Sequence, residues 1–132
     1  VPIADPQPPS APASLTVSGG VGGGLTLSWS TASDNVGVTG YLIYRSTSSG
    51  FTPSAANEVG QTSSTSFSET GLSSGTYYYL VKAIDAAGNL GSASNQTAIT
   101  VTTGTQSASV PLLPLWAMLA LAIGLLRVII RR

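Results

Sequence analysis

The sequence predicts an all-β protein, a seven-stranded sandwich, followed by a single apolar helix at the C-terminus. Two observations predict the sandwich. Apolar residues recur at alternate positions in short runs across residues 12–102. Clusters of Gly, Ser, Asn and Asp separate these runs at the roughly 8–12-residue spacing of sandwich strands. A third observation predicts the helix: residues 110–132 form one apolar rod with a basic foot, unlike the polar Gly/Ser/Thr-rich chain before it.

The elements follow in order. Residues 1–11 form a Pro-rich arm, which reads as a stiff extended spacer. It has neither the basic start nor the apolar core of a signal peptide, so an export signal is expected upstream of Val1 or already removed. Leu15 and Val17 open the strand series. Leu25, Leu27 and Trp29 then alternate with Thr26, Ser28 and Ser30, giving one buried and one wet face. Val38, Tyr41 and Ile43 mark a third strand and Val59 a short fourth. Thr65 and Phe67 form the fifth, and Tyr77, Tyr79, Val81 and Ala83 the sixth. Thr97, Ile99 and Val101 close the set. No helical periodicity interrupts it, and seven such strands pack as two antiparallel sheets. Residues 103–109 read as a linker and 110–132 as a transmembrane helix with a basic end.

Charge and composition exclude several functions. Residues 1–109 hold all five acids against Arg45 and Lys82, a net charge of −3, while Arg127, Arg131 and Arg132 give the tail +3. An acidic body cannot neutralise phosphates, which excludes nucleic acid as a partner. The chain has no Cys and no His. It therefore lacks thiol nucleophiles, His-based triads and the usual zinc ligands. No cofactor is implied. Glu58, Glu69 and Asp85 fall on separate edges or loops, so no carboxylate pair faces another across a cleft as glycoside hydrolysis requires. The expectation is no catalytic residue and no enzyme.

Three motifs in sequence order carry a resemblance: Leu25-Thr-Leu-Ser-Trp29, Ser33-Asp-Asn-Val-Gly-Val-Thr-Gly-Tyr-Leu-Ile-Tyr-Arg45, and the run from Gly71 to Asn89. Together they resemble a fibronectin type III domain of the kind found in secreted bacterial carbohydrate-active enzymes and surface proteins. The resemblance covers residues 12–102. It implies a core Trp at Trp29 and a tyrosine corner at Tyr77. The segment from Leu72 to Tyr77 is one residue shorter than the commonest family spacing and carries no Pro. Tyr78 is thus the alternative corner, and choosing it would invert the facing of the whole strand.

Two surface features invite a site. Asp34-Asn35 and Asp85…Asn89 lie in turns, where Asx side chains bond their own backbone. Calcium needs six or more oxygens and no spaced Asp/Asn run supplies them, so turn chemistry is expected and no metal. With Tyr77 and Tyr79 inward, Tyr78 and Leu80 point outward beside Leu42 and Tyr44 of the neighbouring strand. These four are the candidate interaction patch, for a protein partner or a polysaccharide.

The tail closes the reading. Pro111 and Pro114 are tolerated near a helix start. Trp116 suits an interface and the arginines a cytoplasmic end. The uncharged run 112–126 is short for a full span, about 22 Å at ~1.5 Å per residue. Arg127 must therefore snorkel, or Gly124 and nearby alanines must admit a neighbouring helix. The tail also resembles the C-terminal sorting tails of Gram-negative bacteria, of the PEP-CTERM and IPTL-CTERM kind, which implies cleavage by an exosortase-type enzyme. The expectation is a non-catalytic, single-pass protein of a bacterial cytoplasmic membrane, with its sandwich outside. Its partners are membrane lipid and other membrane-protein subunits, and its role that of an accessory subunit. The alternatives are a cleaved surface protein or a spacer or sugar-binding module of a larger secreted hydrolase.

Overall fold

The computed structural model describes residues 4–103. Seven strands form: β1 (Ala13–Gly19), β2 (Leu25–Ser30), β3 (Val38–Ser46), β4 (Glu58–Thr62), β5 (Ser66–Glu69), β6 (Gly75–Asp85) and β7 (Thr97–Val101). A 3-10 turn at Ala55–Asn57 precedes β4. One sheet has the order β1-β2-β5 and the other β4-β3-β6-β7, with antiparallel pairing throughout. All seven strands expected from the alternation are present.

Period-two patterning positions the core. In β2, Leu25, Leu27 and Trp29 are buried while Thr26, Ser28 and Ser30 are exposed. Leu27 stands between Val17 of β1 and Phe67 of β5, an apolar row across the first sheet. Opposite it, β3 and β6 pair Tyr41 with Ala83 and Ile43 with Val81. These residues, with Leu15, Tyr79 and Val101, make one buried cluster. Burial of each large member contributes about 1.5–3 kcal/mol. Trp29 and Tyr41 meet edge to face at 5.4 Å, joining the sheets. Gly60 of β4 lies so close to the Phe67 ring that a Cβ there would overlap it.

Hydrogen bonding fixes the facing of β6. The Tyr77 hydroxyl donates to the Ser73 carbonyl at 2.9 Å, four residues upstream. The corner is therefore Tyr77 and not Tyr78, and Tyr77 packs partly buried against the core. Two further devices bind the sheets. Asn95 accepts from Leu15 N–H at 2.9 Å and donates to the Leu15 carbonyl at 3.0 Å, so it ties a bulge in β1 to the chain entering β7. The Gly20–Gly22 turn exchanges backbone bonds with Thr102, which holds the end of β7.

The residues expected to form the membrane helix and anchor (Pro114, Trp116, Gly124, Arg127, Arg131 and Arg132) lie outside the described residues. Among the described residues no helix is long and apolar enough to cross a membrane.

Candidate functional site

The outward row on β3 and β6 corrects one expectation. Register places Tyr44 opposite Leu80 and Leu42 opposite Lys82, with Tyr78 opposite Ser46. The facing is as expected, but Tyr44 is 3 % exposed and Leu80 8 %, and neither belongs to the core cluster. The reason is the long connection from β3 to β4. Gly50 N–H donates to Gln96 Oε1 at 2.8 Å, and Gln96 Nε2 donates to Ser49 Oγ at 3.2 Å. Gln96 directly precedes β7, which lies beyond β6 from β3 and three positions from β4 in the sheet. The connection therefore folds back across β6 and covers the Tyr44–Leu80 row. Only Leu42 and Tyr78 keep partial exposure, so the four do not form an open patch.

The inward face ends at that same end of the sandwich in a polar group. Arg45 continues the inward series Tyr41, Ile43 and crosses to β5, where Nη1 meets Glu69 Oε1 at 2.6 Å. The Tyr79 hydroxyl donates to the same oxygen at 2.8 Å, and the guanidinium lies over the Tyr77 ring at 5.6 Å. Burial, then the Glu69 bond and charge, push the Tyr79 phenol well above its ordinary range. Burial, then Glu58, raise that of Tyr44. Both phenols ionise less readily folded than unfolded. Their stabilisation is thus whole below about pH 10 and is lost as pH rises through the folded values. In a phenolate absorbance titration, Tyr44 and Tyr79 should ionise only with the onset of unfolding. An unchanged native titration curve in Tyr44→Phe and Tyr79→Phe at the pH where the wild type unfolds would contradict this arrangement.

At the opposite end, three segments meet. The sequence reads residues 1–11 as a spacer, yet from Ala4 onward the arm lies bonded to the sandwich. Ser10 N–H donates to the Ser33 carbonyl at 2.8 Å, and Ser33 N–H returns a bond to Ser10 Oγ at 2.9 Å. Asn89 Nδ2 donates to the Asp5 carbonyl at 2.6 Å, and Asn35 Nδ2 donates to Asp5 Oδ1 at 3.1 Å. Pro9 and Pro12 are buried. Gly91 allows this approach, because a Cβ there would overlap the Pro9 carbonyl oxygen. Proline fixes φ and offers no N–H, so the arm docks through the Ser10 N–H, carbonyls and a few side chains with little left to order.

The two Asx turns behave as turns. Asp34 Oδ2 accepts from Val36 and Gly37 N–H, at 3.0 and 2.9 Å. Asp85 Oδ1 accepts from Ala87 and Asn89 N–H, at 3.0 and 2.8 Å, and Oδ2 from Asn89 Nδ2 at 2.9 Å. Burial opposes the Asp85 charge, but the hydrogen bonds from Asn89, through its side chain and its backbone, and from Ala87 N–H outweigh it and lower the pKa. Docking of the arm also sets Asp5 beside both turns. That residue carried no signal within its own segment.

The family model for the fibronectin type III domain matches residues 10–100. Chitinase Chi52 of Paenibacillus xylanexedens is 41% identical over 107 residues, which is 80% of this chain and 19% of that protein. Chitinase A1 of Niallia circulans is 40% identical over 107 residues, 80% of this chain and 14% of that protein. Chitinase ChiA74 from Bacillus thuringiensis superposes with a TM-score of 0.63 at 23% identity, covering 77% of this chain and 15% of that one. The chain thus spans under a fifth of the length of these curated relatives, and the matched parts are their non-catalytic modules.

Proposed function

The chain belongs to the fibronectin type III family, and from that membership we propose that it is a non-catalytic spacer module of an exported carbohydrate-active protein. The observation that carries this reading is identity of about 40% along nearly the whole module to chitinases several times its length. The geometry supports it. Tyr44 and Leu80 on the outer face are buried, the inward acid Glu69 is bound by Arg45, and the arm is tied to the body. Such a module fixes the distance and angle between whatever it joins. These relatives support a spacer rather than an accessory subunit of a membrane assembly.

Exchange of the matched segment of chitinase A1 for residues 10–100 tests the reading. The chimera is expected to hydrolyse insoluble chitin as the parent does, because the segment supplies shape alone. Loss of hydrolysis on insoluble chitin, with hydrolysis of soluble oligomers intact, would overturn it. For residues 110–132, the apolar run with Arg127, Arg131 and Arg132 supports delivery of the C-terminus to a bilayer. Intact-mass analysis of the native protein separates a retained anchor, with residues 110–132 in place, from a sorting tail cut near Val110.

A further inference from the structure

Asp5, Asp34 and Asp85 come from the arm, the loop before β3 and the end of β6, and one carboxylate oxygen from each lies within 4.8 Å of the others. The turn and arm bonds account for Asp5 Oδ1, Asp34 Oδ2 and both oxygens of Asp85. They leave Asp5 Oδ2 and Asp34 Oδ1, which are buried and accept no hydrogen bond. Asp85 itself is only 3 % exposed. Among the described residues, no Lys or Arg pairs with any of the three. Turn chemistry and arm docking use one oxygen of Asp5, one of Asp34 and both of Asp85, and they give no reason for two further carboxylate oxygens to be buried without a donor beside this cluster. A buried carboxylate oxygen without a donor is costly, and like charges beside it raise the cost.

We propose that Asp5, Asp34 and Asp85 hold a divalent cation of the calcium class, which clamps the N-terminal arm to the end of the sandwich. Calcium binds oxygen at 2.3–2.6 Å, so two ligands of one ion stand up to about 5.2 Å apart, and a 4.8 Å spread fits one ion. The donors are hard carboxylate oxygens, and the chain has neither the His nor the Cys that zinc prefers. A cleft lined by Asp5, Pro6, Gln7, Asn35 and Val36 opens beside the cluster and gives water access to the remaining coordination positions. Because Asp5 belongs to the arm and the other two to the body, the ion couples arm docking to cation concentration. With three protein carboxylates and water, the affinity falls in the range of extracellular modules, about 10⁻⁴–10⁻³ M.

The test uses the full chain, freed of metal with EDTA and titrated with calcium chloride by calorimetry and thermal unfolding, beside Asp34→Asn. In that variant Asn Oδ1 still caps Val36 and Gly37, while the amide nitrogen replaces the orphan oxygen and donates within the cluster. Wild type is expected to bind one calcium and rise in Tm. Asp34→Asn should bind about tenfold or more weakly and, in EDTA, unfold no earlier than wild type. A wild type that ignores millimolar calcium would overturn the proposal. So would an equal calcium response in both proteins, which would place the ion elsewhere.

Discussion

Replacing Tyr79 with alanine is expected to destabilise the sandwich by roughly 3–5 kcal/mol, the cost of emptying a buried aromatic position. Tyr79 is fully buried, and its ring sits where the apolar core gives way to the Arg45–Glu69 pair. Removal opens a cavity and also takes a donor from Glu69. Tyr79→Phe separates the two effects. It keeps the ring and loses only the hydroxyl, at about 1.5–3 kcal/mol for a bond to a charged group. The lower end applies, because Arg45 still holds Glu69 and is itself 30% exposed. Urea unfolding with unchanged m-values measures both. Equal losses for the two variants would mean that the hydroxyl, not the packing, stabilises this end.

Gly91→Ala has the second large effect and acts on the other end. Gly91 N–H is held by the Ala83 carbonyl at 2.9 Å, so this segment cannot retreat from the Pro9 carbonyl. The arm must yield, losing its bonds to Ser33, Asn35 and Asn89. At about 1 kcal/mol each, partly offset by regained chain entropy, the expected loss is roughly 2–4 kcal/mol. Amide hydrogen exchange locates it: Ser33 N–H should lose protection while Ile43 and Val81 keep theirs. Wild-type exchange at Ser33 would show that the arm does not depend on this close approach.

Much of this architecture was legible because it is periodic. Leu25, Leu27 and Trp29, and Tyr77 through Ala83, name their faces by alternation alone. The corner at Tyr77 needed one hydrogen bond to settle, since two adjacent tyrosines satisfy the pattern in opposite phases. What failed was whatever depended on distant chain. Tyr44 and Leu80 face outward as parity requires, but bonds from Gly50 and Ser49 to Gln96, nearly half the domain away, decide that they are covered. Arg45 carried an available signal, a charge in the inward series of Tyr41 and Ile43. Nothing local says which of the five acids, Glu69, answers it. Asp34 and Asp85 were read as turn residues and calcium was set aside, because the sequence around them shows too few oxygen ligands. Asp5 reaches them only because Pro9 and Pro12 seat the arm on the sandwich.

The central claim is that this module supplies shape and no sugar contact. Depletion of the full chain from solution by insoluble chitin, cellulose and starch tests it most directly. The account predicts no retention above that of an inert protein, because the tyrosine row is covered and Tyr78 is only partly exposed. Saturable retention that Tyr78→Ala abolishes would contradict it and make the module a carbohydrate binder.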